Sequence, residues 1–372
     1  MRHLYVHVPF CPTICPYCDF HVVRRSRGLV ESYLDRLERE AAELHEKYPG
    51  PLETLYIGGG TPSYLRDAEL ERLFAILPWR LAARAEVTLE VNPGTVNRAR
   101  LERIRDLGVN RVSLGVQSFD DRLLRFLGRR HSAAVAFRTV SEALELGFSV
   151  SLDLILGLPD QDVHRELKNA LALGVSHVSA YTLQIEPGTP FAIAGLEPDP
   201  DREAEHFQVA RDELGDAGLV RYEVSNYARP GAESRHNLAY WRLREWGGLG
   251  PSAAAHLFAD AAGIVSRRFS NPPLPRWLAG EPPQVVALSP LEFAKEALMM
   301  GLRLREGVDL AALAQKSGLE IQEALAPTAR ELLEEGLLAR AGERLVPSDA
   351  GMDQLHRVVL KIWGALETPS GA

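Results

Sequence analysis

The 372-residue sequence predicts an α/β protein: a parallel sheet of six βα units, followed by a small C-terminal domain of mixed α and β structure. Three observations lead to this fold class. Short apolar runs alternate with amphipathic stretches in the first half of the chain, the alternation breaks near residue 186, and a proline-rich connection over residues 271–283 precedes a change of pattern.

Each of the six units begins with a short, nearly continuous apolar run, which is typical of a strand buried on both faces of a parallel sheet. The predicted strands cover residues 4–8, 54–57, 86–93, 111–117, 149–155 and 177–183. The predicted helices cover residues 29–47, 67–77, 98–107, 133–146 and 163–173. Polar residues end four of the strands, namely Glu90, Gln117, Asp153 and Gln184. Because ligands bind at the carboxyl ends of parallel strands, these ends are the predicted ligand site.

The middle of the chain departs from this regularity. A helix is predicted over residues 201–218, but residues 221–251 are rich in Tyr, Trp, Asn and Gly, a composition that favours a functional insert or lid. The prolines near residue 280 indicate a domain boundary. The predicted domains are therefore a core over residues 1–185, an extension and linker over 186–285, and a C-terminal domain over 286–372.

The C-terminal domain is expected to resemble a winged helix. Helices over residues 291–300, 309–315 and 320–335 precede a small β-wing over 336–347 and a final helix. The third of these helices is acidic, with Glu320, Glu323, Glu331, Glu334 and Glu335 against Arg330. Contact with nucleic-acid phosphates is therefore not expected, and a structural or partner-binding role is favoured.

Composition narrows the class of protein further. A hydrophobic content of 46% allows a large core, and a net charge of −8 disfavours a nucleic-acid surface. No apolar run approaches the roughly 20 residues of a membrane helix. Met1 leads directly into the apolar alternation of Leu4, Val6 and Val8, which leaves no room for a targeting segment. The expected location is the cytoplasm.

All three cysteines, Cys11, Cys15 and Cys18, lie within eight positions of one another in a C-x3-C-x2-C pattern. Three thiolates on one loop can hold three irons of a [4Fe–4S] cluster and leave the fourth iron open. The amino and carboxylate groups of S-adenosylmethionine (SAM) suit that open iron. One alternative is a structural zinc site in which His7 or His21 is the fourth ligand, and another is a disulfide with one free thiol.

The cysteine pattern, with Tyr17 directly before the third cysteine, resembles the signature of the radical SAM superfamily. The preceding Tyr5-x-His7-x-Pro-Phe-Cys11 is similar to the group around anaerobic coproporphyrinogen III oxidase. This resemblance implies an open (β/α)6 partial TIM barrel of the radical SAM type, whose cluster loop follows the first strand. It also implies that SAM binds across the free iron of the cluster.

The resemblance assigns further residues to SAM binding, across about the first 185 residues. The residues that match the family's SAM contacts or pack near its cluster are Tyr5, Tyr17, Gly58, Gly59, Gly60, Thr61, Glu90, Gln117, Arg129 and Asp153. Among these, the glycine stretch with Thr61 matches the segment that contacts the SAM amino group. Glu90 matches the acid that meets the ribose hydroxyls, and Tyr5 matches a tyrosine near the cluster.

Two features separate the subfamilies of this group. The oxidase-type enzymes carry a fourth cysteine two positions after the third, where this chain has Phe20. The segment His236-Asn237-Leu-Ala-Tyr240-Trp241 resembles the H-N-x-x-Y-W motif of HemW-like haem chaperones. Its imidazole can bind haem iron and its aromatic rings can lie against a porphyrin, although the same residues also suit a packed core. His256 is a second candidate ligand.

The resemblance therefore implies a haem chaperone that passes haem to acceptor haemoproteins such as respiratory-chain components, with possible peripheral association with the membrane. The alternative is an oxygen-independent coproporphyrinogen III dehydrogenase of porphyrin biosynthesis that acts through a 5′-deoxyadenosyl radical. A third class, a transcriptional regulator that uses the winged helix, is disfavoured by the acidic helix.

Overall fold

The fold is that of a computed structural model, which describes residues 1–367. The last five residues of the predicted C-terminal domain lie outside the described residues. Numbered in chain order, the strands are β1 (His3–Val8), β2 (Phe10–Cys11), β3 (Val23–Arg24), β4 (Leu52–Gly59), β5 (Leu81–Val91), β6 (Arg111–Gln117), β7 (Ser149–Leu156), β8 (His177–Thr182), β9 (Val220–Arg221), β10 (Asn226–Ala228), β11 (Trp246–Leu249), β12 (Ala254–Ala261), β13 (Ile264–Ser270), β14 (Gln284–Leu288), β15 (Val308–Asp309), β16 (Leu338–Ala341) and β17 (Arg344–Pro347).

The helices lie between these strands and, in the last quarter of the chain, around a second core. They are α1 (Arg27–Lys47), α2 (Asp67–Ala75), α3 (Arg98–Asp106), α4 (Asp121–Phe126), α5 (Ala133–Glu145), α6 (Val163–Ala172), α7 (Pro190–Ile193), α8 (Pro200–Asp216), α9 (Arg235–Trp241), α10 (Leu274–Leu278), α11 (Pro290–Gly301), α12 (Leu310–Ser317), α13 (Ile321–Glu334), α14 (Asp349–Asp353) and α15 (Leu355–Glu367). A 3-10 turn over Pro62–Tyr64 follows β4.

Twelve strands of the described chain form one mixed sheet in the order β14-β13-β12-β11-β1-β4-β5-β6-β7-β8-β10-β9. The six predicted strands are confirmed as β1, β4, β5, β6, β7 and β8, and they lie side by side in chain order and in parallel. The two ends of the sheet, β14 and β9, are not paired with each other. The barrel is therefore open, as the fold class predicts.

The helices that follow the parallel strands cover the outer face of the sheet. In α1, for example, Leu34, Leu37 and Ala41 are buried, which confirms the apolar stripe expected from their spacing. Apolar side chains from the strands, such as Val6, Ile57 and Leu114, join the same core. The outer face thus holds the hydrophobic core, and the inner face is left free to carry polar side chains.

Of the two expectations for residues 221–251, a functional insert or a lid, the lid is wrong. This segment contributes a seventh parallel strand, β11, which pairs with β1 and carries the sheet on through the antiparallel strands β12, β13 and β14. Its glycines do not mark a mobile loop: a Cβ at Gly248 would lie 2.3 Å from the carbonyl oxygen of Ala254, so only glycine fits there. Trp246 and Leu249 are buried on either side.

The winged-helix-like C-terminal domain is confirmed. β15, β17 and β16 form a three-stranded antiparallel sheet, and α11, α12, α13 and α15 pack around a second hydrophobic core. We call strands β11 to β14 the sheet extension. Trp246 of β11 and Leu243, just before it, also belong to the second core, so this core spans the junction with the sheet. On α13, Glu331 and Glu335 form ion pairs with Lys361 of α15.

Glu40 of α1 connects this helix to the sheet extension. Its carboxylate accepts hydrogen bonds from the N–H of Gly250 (2.8 Å), the amide of Asn271 (2.6 Å) and the indole of Trp277 (3.2 Å). We expect Glu40→Ala to leave the N–H of Gly250 and the indole N–H of Trp277 unpaired, whereas Asn271 keeps its hydrogen bond to the carbonyl of Gly250. The free energy of unfolding should fall by about 3 kcal/mol. Urea titration followed by circular dichroism measures this change.

The matched control is Glu43→Ala, because Glu43 lies on the exposed face of the same helix. It should change the free energy of unfolding by less than about 0.5 kcal/mol. Equal effects of the two substitutions would show that the Glu40 contacts do not stabilise the extension.

Candidate functional site

A cavity of about 970 Å³ begins at the carboxyl ends of the parallel strands and continues into the open barrel. All three cysteines line it, as do the polar side chains that end the strands. Its predicted site residues are Cys11, Cys15, Cys18, Tyr17, Gly59, Gly60, Thr61, Glu90, Gln117, Arg129, Asp153 and Asn237. The structure therefore brings together residues from almost the whole first half of the chain.

The cysteine loop follows β1 and forms one wall of the cavity. All three thiols are free of disulfide bonds, and the N–H of Cys18 donates to the carbonyl of Cys15 across a short turn (3.1 Å). Within residues 1–367, no three His, Cys, Asp or Glu side chains are close enough together to hold a single metal ion. A mononuclear zinc site would require such a set, whereas the thiolates of a cluster each bind a different iron.

The thiol of Cys11 needs a positive charge close by before it can ionise at neutral pH. Burial raises its pKa to about 11, and burial also raises the pKa of Cys18. Bound iron supplies such a charge and deprotonates a coordinating thiol outright. Three thiols that face one cavity, with space beside them, therefore fit a [4Fe–4S] cluster with an open iron.

Asn92 connects the walls of the cavity around the cysteines. Its amide nitrogen donates to the hydroxyl of Thr61 (2.8 Å), and its carbonyl oxygen accepts from Arg129 (2.5 Å). The Thr61 hydroxyl lies 3.4 Å from the sulfur of Cys11, and Arg129 lies 3.8 Å from the sulfur of Cys15. A continuous chain of polar contacts thus links two of the cysteines through the ends of two strands.

The glycine segment after β4 needs glycine at its centre. Gly59 has a φ of +110°, and a Cβ there would lie 2.5 Å from the ring of His7. This backbone approaches the cavity without side chains in between, as Gly59 and Gly60 line it and Gly58 lies just outside. Main-chain groups at this position are therefore accessible to a ligand.

Glu90 and Asp153 line the lumen, which is the part of the cavity inside the open barrel, and burial raises the pKa of both carboxyl groups. The pKa of Glu90 is raised to about 7, although Tyr56 (2.9 Å) and the N–H of Gly59 (2.8 Å) donate to its carboxylate. The pKa of Asp153 is raised to about 6, with the hydroxyl of Ser113 at 3.2 Å. Both groups therefore change charge close to neutral pH, where a cationic ligand would favour their ionised forms.

The remaining predicted SAM contacts have different placements. Gln117 adopts a φ of +69° at the end of β6 and accepts a hydrogen bond from Tyr181 (3.0 Å). Tyr17 lines the cavity beside the cysteines. Tyr5 does not line it: its hydroxyl is 2.9 Å from the ring of His7, one layer behind the cluster loop.

The predicted haem motif is mostly buried away from the cavity. Only Asn237 lines it, whereas His236 is 1% exposed and both of its ring nitrogens have partners. Nδ1 lies 2.7 Å from the hydroxyl of Thr54, and Nε2 lies 2.8 Å from the hydroxyl of Tyr240. In this arrangement His236 ties α9 to β4, and an iron bond would have to replace one of the two contacts.

The other two candidate haem contacts are Trp241 and His256, which lie toward the C-terminal domain. Trp241 carries the guanidinium of Arg303 over its ring, 4.3 Å from the ring centroid. His256 is fully buried, with Nδ1 3.0 Å from the carbonyl of Arg244 and no partner for Nε2. Neither residue lines the cavity.

Several lumen residues were not predicted. Besides Asn92, the cavity is lined by Tyr56, Thr88, Arg111, Ser113, Ser151, His177, Ser179 and Tyr181. A signal for them is present in the sequence: along β5, β6, β7 and β8, polar residues recur at every second position, as in Arg111-x-Ser113 and His177-x-Ser179-x-Tyr181. Alternation of this kind marks one face of a strand.

Comparison with known proteins agrees with this geometry. A family model described as "Radical SAM superfamily" matches residues 5–171, and one described as "HemN C-terminal domain" matches residues 288–353. The structure titled as coproporphyrinogen III oxidase (HemN) from Escherichia coli superposes with a TM-score of 0.79 and 24% identity, over 98% of this chain and 90% of that one. The open barrel with its three-cysteine loop thus defines a radical SAM protein.

Proteins of similar sequence show which family within the radical SAM superfamily the chain belongs to. The protein named "Heme chaperone HemW" is 38% identical in Synechocystis, over 83% of this chain and 79% of that protein, and 33% identical in Bacillus subtilis, over 91% and 93%. A mitochondrial "Radical S-adenosyl methionine domain-containing protein 1" from Bos taurus is 38% identical over 82% and 74%. The chain belongs to the HemW family of the radical SAM superfamily.

The pKa of Glu90 leads to a prediction on pH. The ionised carboxylate is the stronger acceptor for ribose hydroxyls, and a ligand that prefers it releases a proton on binding below the pKa. The affinity for SAM should therefore rise as the pH increases from 6 to 8, by at most roughly tenfold per unit below the pKa. Glu90→Gln should bind more weakly and lose this slope near pH 7, which calorimetric titrations across this range would show.

The control for this pH dependence is Asp153→Asn, which removes the neighbouring group of lower pKa. Because the charge of Asp153 also raises the pKa of Glu90, this variant should keep the change that Glu90 produces but move it to a lower pH, and it should lose the change that Asp153 itself produces. If Glu90→Gln kept the wild-type slope, another group would be responsible.

Proposed function

We propose that this chain binds haem and transfers it to acceptor haemoproteins, and that it does so as a protein that carries a [4Fe–4S] cluster and SAM. The observation that carries the proposal is the match over most of the chain to proteins named as haem chaperones, at 33% and 38% identity. Residues 5–171 also match the radical SAM model, which supports the two cofactors.

In this proposal the cluster is held by Cys11, Cys15 and Cys18, and its open iron chelates the amino and carboxylate groups of SAM. The backbone at Gly58, Gly59 and Gly60, together with Thr61, faces the amino group. Glu90 accepts from the ribose, and Gln117, Arg129 and Asp153 supply further polar contacts. The link through Asn92 holds Thr61 and Arg129 in position around the cysteines.

The mouth of the cavity offers an apolar surface for haem. Ile14 and Phe20 are 45% and 65% exposed, and both line the cavity beside the cysteines. Large exposed apolar side chains at the rim of a cavity indicate a binding surface. Phe20 occupies the position at which the oxidase-type enzymes carry a cysteine, so the chain has an apolar face where those enzymes have a thiol.

His236, with Asn237, Tyr240 and Trp241, is proposed to hold haem in a second arrangement of α9. Burial lowers the pKa of His236 to about 3, so its imidazole is neutral and able to bind iron. The hydroxyl of Tyr240 competes for Nε2 at 2.8 Å. Haem binding through this residue therefore depends on releasing that hydrogen bond.

The partners proposed are acceptor haemoproteins, such as components of a respiratory chain, and the proposed location is the cytoplasm with peripheral contact to a membrane. No helix within residues 1–367 is both long and apolar enough to cross a bilayer. We propose no nucleic-acid partner, because α13 carries Glu323, Glu331 and Glu334 against the single basic residue Arg330.

Two substitutions test the haem site. His236→Ala removes the proposed iron ligand and should weaken haem binding at least about tenfold. Tyr240→Phe keeps the ring but frees Nε2, so it should bind haem as tightly as the wild type or more tightly. Titration with haemin, followed by the Soret band, measures both affinities.

A purely structural role would produce the opposite pattern, with both variants less stable and haem affinity unchanged in His236→Ala. Thermal unfolding of each variant must therefore accompany the titration. His206→Ala is the matched control, as it removes a buried histidine outside both the proposed motif and the cavity.

The second candidate, a coproporphyrinogen III dehydrogenase, is supported by the shared fold with the HemN structure. Anaerobic incubation of reconstituted protein with coproporphyrinogen III, SAM and a reductant distinguishes the two functions. We expect no protoporphyrinogen above the level of Cys15→Ala, in which one cluster ligand is missing. Product formation that requires Cys15 would establish the enzyme and reject the chaperone as the main function. The Phe20→Cys variant tests whether the missing cysteine alone accounts for the difference.

A further inference from the structure

The cavity continues inward beyond the residues proposed to contact SAM. Glu90 of β5 pairs with Ser113 of β6, and two residues earlier Thr88 pairs with Arg111. Because residues two apart on a strand share a face, Thr88 and Arg111 form a layer one step deeper in the lumen than Glu90. Both residues line the cavity, which shows that it reaches this layer.

Three polar atoms of the cavity lining have no hydrogen-bond partner, two of them in this inner layer and one on β10 opposite Ser179. They are Nη2 of Arg111, Oγ1 of Thr88 and Oδ1 of Asn226, in residues that are 3%, 1% and 8% exposed. All three residues line the same cavity. Since buried polar atoms nearly always have a partner, these three indicate a bound polar molecule, either a ligand or an ordered water.

The charge of Arg111 is only partly matched within the protein. Its Nη1 donates to the carbonyl of Ala232 (3.0 Å) and to the hydroxyl of Ser149 (3.3 Å). Its closest carboxylate, Glu86, lies 4.0 Å away. The two oxygens of Glu86 already accept the N–H groups of Arg235 and His236 at the start of α9, 3.0 Å each. The other edge of the guanidinium therefore remains available to an anion.

The neighbouring titratable groups in the described part of the lumen do not take the place of such a ligand. His177 uses Nδ1 with Ser151 (2.7 Å) and Nε2 with the hydroxyl of Tyr222 (2.9 Å). Burial and the nearby charge of Arg111 hold its pKa well below the usual value, so it is neutral. Asp153 lies one layer further out, where the hydroxyl of Ser113 is 3.2 Å from its carboxyl.

We propose that the inner end of the lumen is a binding site for a small carboxylic acid that also carries a hydrogen-bond donor, with Arg111 and Thr88 holding the carboxylate. A guanidinium and a hydroxyl are a favourable donor pair for a carboxylate. Asn226, which pairs with Ser179 of β8, presents its carbonyl oxygen further out in the same cavity, to the donor group of the molecule. At about 970 Å³ the cavity is at the upper end of ligand-pocket sizes, which leaves space for SAM above this site.

This site does not depend on haem binding, so it can be tested independently of the proposed function. The probe is glycolate, the smallest carboxylate with a neighbouring hydroxyl, titrated calorimetrically into the full chain with its cluster reconstituted. We expect saturable binding that persists with saturating SAM, and weaker binding of acetate, which lacks the donor. Arg111→Gln should weaken glycolate binding at least about tenfold, the loss typical of a charge-assisted hydrogen bond.

Arg130→Gln is the matched control, because Arg130 is an exposed arginine that lines the same cavity. It should bind glycolate within about twofold of the wild type. Thr88→Val keeps the shape of the residue and removes the hydroxyl, so it tests the site even if Arg111→Gln does not fold. It should also weaken binding.

Three results would overturn the proposal. The first is equal glycolate affinity in wild type, Arg111→Gln and Thr88→Val. The second is displacement of glycolate by SAM or by haemin, which would assign the carboxylate contact to one of those molecules instead. The third is a crystal structure of the wild type grown with glycolate that shows only water beside Arg111.

Discussion

The arrangement of the site depends on one chain of contacts, which runs from Cys11 through Thr61, Asn92 and Arg129 to Cys15. These residues come from the cysteine loop, from the ends of β4 and β5 and from the segment after α4. The cysteine loop has many accessible conformations when it is unfolded, and ordering it costs conformational entropy. The contacts at both cysteines offset this cost, so the orientation of the thiols depends on the strand ends and not on the loop alone.

The sheet allows this arrangement because its two faces differ. Outward-facing apolar residues pack under the helices and supply the burial that stabilises the fold. Inward-facing positions then remain free for polar side chains, several of which are buried without full hydrogen bonding. The pKa values of Glu90 and Asp153 are raised for the same reason, since burial disfavours their charged forms. The unpaired polar groups make the fold less stable than an apolar lining would. They remain available to bind ligands.

The buried contacts of His236 connect the sheet to the rest of the molecule. Thr54 of β4 lies 2.7 Å from its Nδ1, and Glu86 of β5 accepts its backbone N–H. On the other side, Trp241 packs under Arg303, which follows α11 within the C-terminal domain. A change at α9 would therefore affect both the floor of the lumen and the junction with the second core. This position suits a segment that responds to a ligand, and haem is the ligand proposed here.

Local patterns in the sequence determine a large part of this protein. The six βα units, the winged-helix-like order, the three cysteines and many of the residues that line the cavity are encoded in spacings of a few residues, which periodicity and motif reveal directly. Only the tertiary structure decided that residues 246–249 pair with β1, that His236 is enclosed by Thr54 and Tyr240, and that Arg111 has an unpaired edge in the lumen. These features depend on contacts between segments that lie far apart along the chain. Hydrophobic burial and strand register settle such pairings over the whole chain, and no short stretch of sequence contains that information.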